Sequence, residues 1–524
     1  MSPSPPSAVT NRAPASVPAA EEKQAGLPAT GAEPKKAASE RLIDVETDLF
    51  RLRLSNREAV VKSWVLKKYS DSDGKPLDLI QSKKADVFGY PLALKLDKEE
   101  AISKRLAGVL YLSDAVGNVS LTPQTSVQSI NFEFADQDVR VEKKLTFTLG
   151  SYAVGVQCRV WINNKPADYT LLWKSGFGDP SVDERMAVRR VLYRSEQKIT
   201  RIKATDVQPQ QDLSGSFGFV GLEDQYFAAV FLPISEPIQR IELGRDENSG
   251  ESGKKEALLK VGVTSSTPTR SDFKLFVAPK DTEVLQKAGY NLIDLIDYGW
   301  FAVVCKPLFF ALRSIYSFCR NYGLAIMLLT ILINLALFPL RYKSIVSAQK
   351  MQKLQPQMKA IQEKFKKLKP TDPKRQQMNA ELMALYKQHG VNPLGGCLPL
   401  LLQMPFFIAF YNLLSVSIEL RHAPFILWIK DLSAADHTFV LPILMTVSMI
   451  AMQKMTPTPS ADPVQAKMML AMPLVFGFML AFTSSGLVLY WLTSNLVGVV
   501  QQYLMNKYGP GTASRTPPKH GKKK

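Results

Sequence analysis

The chain has 524 residues and a formal net charge of +18, enough length for two or three domains. Residues 341–390 carry twelve basic side chains against three acidic ones and residues 506–524 carry six against none, so these stretches supply 15 of the 18 charges. That concentration excludes a generally basic, DNA-coating protein, and DNA is not an expected partner. Cys158, Cys305, Cys319 and Cys397 show no CxxC spacing, so no disulfide framework or zinc site is read, and they serve as small apolar fillers.

Residues 1–40 are rich in Pro, Ala, Ser and Glu without a periodic apolar face and read as a disordered linker. They hold no signal-like apolar region and no spanning helix. From 41 to 297 the apolar period is two. Phe50, Leu52 and Leu54 alternate with Arg51, Arg53 and Ser55; Leu145, Phe147 and Leu149 alternate with threonines; Val154, Val156, Cys158, Val160 and Ile162 share one face. Polar turns separate the runs, which predicts a large antiparallel β-sandwich. No phosphate loop, metal cluster or nucleophile elbow is present in it, so it reads as a spacer or docking module.

Residues 298–321 are aromatic and aliphatic, interrupted by Lys306, Arg313 and Arg320 seven apart and therefore on one helical face. Such a helix is expected to lie in a membrane interface. Between 322 and 505 five apolar stretches follow, about 323–340, 398–418, 439–452, 468–482 and 487–505, read as spanning helices. The third and fourth are short and need tilt or neighbours. The first holds Thr330 and Asn334, polar residues that cost free energy in hydrocarbon unless they are used. Basic stretches after the first and last spans place both in the cytoplasm and the strand domain outside. Export of that domain then calls for a leading hydrophobic helix, which is expected and is not found in residues 1–40.

The segment 341–390 reads as an antiparallel helical hairpin. Met351, Leu354, Met358, Ile361, Phe365 and Leu368 form one seam, Met378, Leu382 and Leu385 the other, with a Pro-rich turn between them and a bend expected at Pro356. Its lysines either satisfy the positive-inside rule or dock a polyanion such as ribosomal RNA; Lys353, Lys359, Lys364, Lys366, Lys367, Lys374 and Arg375 are the candidate contacts. Residues 506–524 form a basic cytoplasmic tail.

The run Asn392-Pro-Leu-Gly-Gly-Cys-Leu-Pro-Leu-Leu-Leu-Gln-Met-Pro405 resembles the signature of the YidC family of bacterial membrane protein insertases. Glu419-Leu-Arg-His-Ala-Pro-Phe425, Asp431-Leu-Ser433, Leu441-Pro-Ile-Leu444, Gln453-Lys-Met455, Gly486-Leu-Val-Leu-Tyr490 and Ser494-Asn-Leu496 resemble it too, so the likeness runs from about Tyr298 to Tyr503. It is looser in the strand half, where Gln225-Tyr-Phe227 carries it. The resemblance implies five core helices around a hydrophilic groove, closed to the outside, and a first transmembrane helix ahead of the β-domain. It implies that polar ends of nascent membrane proteins cross through the groove while apolar segments leave sideways into lipid, alone or with the Sec translocon. The implied partners are nascent membrane proteins, the lipid bilayer, the Sec translocon and, through hairpin and tail, the ribosome; no cofactor, metal or catalytic residue is implied.

In that family the first core helix normally brings a positive residue, usually arginine, into the groove. Matching Phe338-Pro339-Leu340 places Asn334 there, so the groove is expected to work by hydration and hydrogen bonding rather than by a fixed charge. Thr330 matches a groove position one turn away and Trp491 an aromatic position in the last helix. Gln453, Thr446 and Asn495 join the candidates on polarity within the spans. Asn334 has a second reading, an interhelical hydrogen bond that holds the bundle together. A secondary transporter or channel is the alternative function; it calls for an internal repeat and a midplane ion site, and none of the five spans holds an acidic residue. A membrane enzyme ranks last, because His389, His422, His437 and His520 fall in loops or tails without partners.

Overall fold

The computed structural model describes residues 34–174, 176–182, 187–249, 255–265, 272–365, 374–390, 398–456 and 463–508. The expected linker up to residue 33, Lys366, Lys367 and the tail beyond residue 508 lie outside the described residues.

Period-two alternation produces strands where it predicts them. Phe50–Ser55 buries Phe50, Leu52 and Leu54 and exposes Arg51 and Arg53, while Ala153–Ile162 buries Val154, Val156, Cys158 and Val160. The strands form a five-stranded and a fourteen-stranded sheet. Among the described residues every ladder is antiparallel except the short pairing of Leu42–Glu46 with Val119–Ser120. This is the expected sandwich-like β-domain, its core crossed by Phe50, Trp64, Trp173 and Phe177 in ring-to-ring contact. Three short helices, α1 (Ser82–Phe88), α2 (Glu100–Leu106) and α3 (Thr282–Ala288), decorate it.

The helical half follows as α4 (Ala302–Cys319), α5 (Tyr322–Ala336), α6 (Phe338–Lys364), α7 (Lys374–Gln388), α8 (Leu398–Val416), α9 (Val440–Met455), α10 (Pro463–Leu480) and α11 (Ser485–Tyr508). The apolar interior is divided accordingly, with one cluster in the β-domain, one among α4, α5, α8, α9 and α11, and a small one between α6 and α7. In α4, Cys305, Leu308 and Leu312 are buried in the bundle cluster, whereas Val303, Phe310 and Phe318, with Trp300 in the turn just before the helix, are exposed. The helix thus belongs to the bundle and not to the sandwich, leaving a broad greasy face outward.

One expectation changes. The span expected to run through Leu340 ends at Ala336, where the chain bends by 61° into α6. Pro339 sits in the first turn of α6, where a missing N–H costs nothing, so the break falls there. Helix α6 runs through Pro356 as one helix. By length and composition, Gly299–Cys319 alone among the described helices suffices to cross a membrane, with α5 and α6 a second if taken as one bent span. Helix α5 has 15 residues, about 22 Å of rise against a hydrocarbon core of about 30 Å. Helices this short cross only with tilt or local thinning of the bilayer.

The hairpin seam forms over its first half: Met351, Leu354 and Met358 of α6 are buried against Leu382, Leu385 and Tyr386 of α7. Lys353, Lys359 and Lys364 point outward.

Candidate functional site

The two ends of the bundle are built differently. At the β-domain end the connector between α8 and α9 is clamped to the sandwich. Arg421 Nε donates to Asp179 Oδ2 at 2.9 Å and Nη2 to the Ser70 carbonyl at 2.6 Å, with the two charged side chains only 5% and 0% exposed. The Asp179 amide donates to the buried Asp224 carboxylate at 2.7 Å, and Gln225 Nε2 donates to the Ser415 carbonyl at 2.7 Å. Gly178, at φ +112°, lies so close to Asp224 that a Cβ would meet its Oδ2 at 2.3 Å, so only glycine fits this turn. The same connector caps the helices. Asn321 Nδ2 donates to the Phe425 carbonyl at 3.0 Å, Phe425 packs onto Gly323, and the amides of Ser485 and Gly486 donate to the carbonyls of Ala434 and Leu432. Burial in this layer pushes the Glu419 carboxyl up to about 7, with Asp281 adding to the shift.

Toward the hairpin end the bundle opens into a cavity of about 180 Å³ lined by Asn334, Leu337, Arg341, Leu402, Gln403, Trp491, Ser494 and Asn495. Gln403 Nε2 donates to Ser494 Oγ at 2.7 Å and to Tyr490 Oη at 3.1 Å. Asn334 Nδ2 donates to the Thr330 carbonyl at 2.9 Å and to Ser494 Oγ at 3.3 Å, and Gln501 Nε2 donates to the Asn334 carbonyl at 3.3 Å. These bonds turn the Asn334 side-chain oxygen toward Arg341, whose Nη1 donates to it at 3.3 Å. Trp491 forms the aromatic wall, edge-on to Phe407 at 4.7 Å and stacked on Phe476 at 5.9 Å.

Of the residues expected from sequence, Asn334, Trp491 and Asn495 line the cavity, Asn495 donating to Ser448 Oγ at 3.0 Å. Three do not. Thr330 is fully buried and its hydroxyl donates to the Ile326 carbonyl of its own helix at 2.6 Å. Thr446 likewise donates to the Pro442 carbonyl at 2.8 Å and packs against Gly477, and Gln453 ties α9 to α10 through the Met469 carbonyl at 2.5 Å. Polarity within a span did not tell whether a side chain faces the cavity or a neighbouring backbone. Gln403 and Ser494 were missed although both fall inside quoted motifs; their side chains meet across α8 and α11, which only packing arranges.

The largest correction concerns charge. Arg341 reads in sequence as the first cation of the hairpin, yet its guanidinium lines the cavity, while Lys343 two residues on is exposed. Among the described residues no carboxylate pairs with it. Against the expectation of a groove without a fixed charge, an arginine lines this cavity, because the chain turns at Leu337 and Arg341 reaches Asn334 at the end of α5. An ionisable side chain turned inward among membrane helices is costly, so an inward arginine calls for a use.

A short-helix bundle with a polar, arginine-lined cavity at one end and a β-domain clamped over the other is the arrangement of an α-helical membrane protein with a domain outside the bilayer. The profile described as YidC periplasmic domain matches residues 42–311, and that described as 60Kd inner membrane protein matches residues 314–512. The membrane protein insertase YidC of Syntrophus aciditrophicus is 35% identical, covering 93% of this chain and 88% of its own. Its counterpart in Geotalea daltonii is 36% identical over 94% and 90%. A solved YidC insertase with its first transmembrane domain resolved aligns with 90% of this chain and 95% of its own at 21% identity and a TM-score of 0.38. This chain belongs to the YidC family of membrane protein insertases.

Proposed function

We propose that this protein inserts nascent membrane proteins into a bacterial inner membrane by receiving their polar ends in the cavity between α5, α8 and α11. The observation that carries the reading is the cavity itself, where Asn334, Gln403, Ser494 and Asn495 bring polar groups into an apolar bundle whose opposite end is capped. Water held there shortens the dry path that a polar segment crosses, and the cost of a buried charge falls with it. The client's apolar segment then leaves sideways into lipid, driven by burial of its own surface.

The distribution of lysine and arginine supports a cytoplasmic hairpin and carboxyl end, with the β-domain in the periplasm. In this topology the cavity faces the cytoplasm and α4 lies in the outer interface, its exposed aromatic face in the headgroup layer. Exposed Lys353, Lys359 and Lys364, with the basic tail, suit a ribosome docked beside the cavity, and insertion proceeds alone or beside the Sec translocon. The reading involves no catalysis.

A photo-crosslinker at position 491, carried by the full chain in membranes, tests it. Adducts with a ribosome-bound two-span client are expected from 491 and not from the outward-facing position 310. Equal labelling from both would remove the cavity from the client's path. Asn334→Leu is expected to lower insertion of that client several-fold, and undiminished insertion would deny Asn334 a groove role.

A further inference from the structure

We propose that Arg341 is the fixed positive charge of the groove, supplied from the hairpin helix α6 across the bend, and that Asn334 is the positioning residue that holds it. The inference rests on the insertase reading and deepens it. The two residues are seven apart on different helices, and they meet because the axis turns by 61° between them. Three features make the seat specific.

First, Asn334 is fixed in one orientation. Its amide nitrogen donates to the Thr330 carbonyl at 2.9 Å, a partner that only a donor can have, which leaves Oδ1 as the acceptor that Arg341 Nη1 reaches at 3.3 Å and Ser494 Oγ at 3.5 Å. Second, α11 is cut back to make room. A Cβ on Gly498 would meet Arg341 Nη2 at 2.4 Å and Cζ at 3.1 Å. Third, a further neighbour is soft and uncharged: Nη2 lies 4.0 Å from Met452 Sδ. With no carboxylate neutralising it among the described residues, the guanidinium keeps its field for whatever enters the cavity. A cation placed to stabilise the bundle would be expected to carry a buried acid, as Arg421 does.

The consequence is that charge in this groove belongs to the cavity and not to one chain position. It can stand at residue 334, or at residue 341 when residue 334 is an amide. It also means that the cation rides on the same helix as the cytoplasmic hairpin.

The test uses the full chain reconstituted in phospholipid vesicles, with the protease-protected fraction of a small two-span client as readout. Arg341→Leu is expected to slow insertion at least about tenfold and Arg341→Lys by less than about threefold. The double variant Asn334→Arg/Arg341→Leu is expected to recover to within about threefold of the parent. Thermal unfolding accompanies each, and Arg341→Leu is expected to unfold no earlier than the parent, which a merely structural arginine would not allow. Insertion by Arg341→Leu at the parental rate overturns the inference while leaving the insertase reading intact. So does a double variant as slow as Arg341→Leu alone, or an Arg341→Leu protein that unfolds early. A parental protein that inserts no client overturns the insertase reading and this inference with it.

Discussion

Arg421 and Arg341 are both drawn out of solvent, at opposite ends of the same bundle, and their partners differ. Arg421 has a buried carboxylate, a carbonyl and the ring of Phe227 5.6 Å away. Arg341 has one amide oxygen, a thioether and open cavity. A buried cation that is fully paired has no field left to offer and acts as a fastener. One that is held by a neutral acceptor keeps its charge available, at a cost in stability that the fold must carry elsewhere. The clamped end ties the bundle to the β-domain, and the unpaired end leaves a charge facing the cavity.

Breaking the fastener gives the largest expected effect. Asp179→Asn leaves Arg421 buried without its anion and is expected to cost about 3–5 kcal/mol, read by unfolding of the purified full chain. Replacing both partners, Asp179→Leu with Arg421→Met, is expected to cost less than either single change, because no charge is then stranded.

Next comes pH. Glu419 titrates at about 7 in the folded protein against 4.5 ordinarily. Between these values the unfolded chain releases a proton that the folded chain keeps, so this group's contribution falls as pH rises from about 4.5 to 7 and is level above. Glu419→Gln is expected to flatten that decline and to raise stability at pH 8 by an amount on the order of 2 kcal/mol, seen as a melting temperature a few degrees higher. A parental profile that rises over this window would reverse the assignment.

At the open end the sign of the stability change differs. Arg341→Leu is expected to leave stability unchanged or raise it by up to about 1 kcal/mol, in contrast to Asp179→Asn, because it removes a buried charge instead of stranding one. Gly498→Ala is the mildest probe. It displaces the guanidinium while both Asn334 and Arg341 keep their identity, and a slowing of insertion by about two- to threefold is expected in the parent and none in Asn334→Arg/Arg341→Leu.

Local pattern made much of this legible. Alternation placed the strands at Phe50–Ser55 and Ala153–Ile162 because one face of a sheet is buried and the other is not. Seam spacing gave the hairpin its buried Met351, Leu354 and Met358. The site was legible by half. Asn334, Trp491 and Asn495 line the cavity, but Thr330, Thr446 and Gln453 bond to main-chain carbonyls instead. A hydroxyl or amide in a helix has its own preceding turn or the next helix as an acceptor, and residue type alone does not choose between these and a cavity.

What the chain determines by itself is its division into a strand half and an apolar helical half, the basic hairpin between the first two apolar stretches, and an amide near the end of the first of them. These follow from periodicity and charge, which are local. Where the positive charge stands was decided only by tertiary structure. A turn at Leu337 and a missing side chain at Gly498 bring Arg341 back to Asn334, two residues whose linear separation places them in different segments. Direction in space depends on how helices pack, and that packing is what brings a lysine-rich hairpin's first cation into the lining of a cavity.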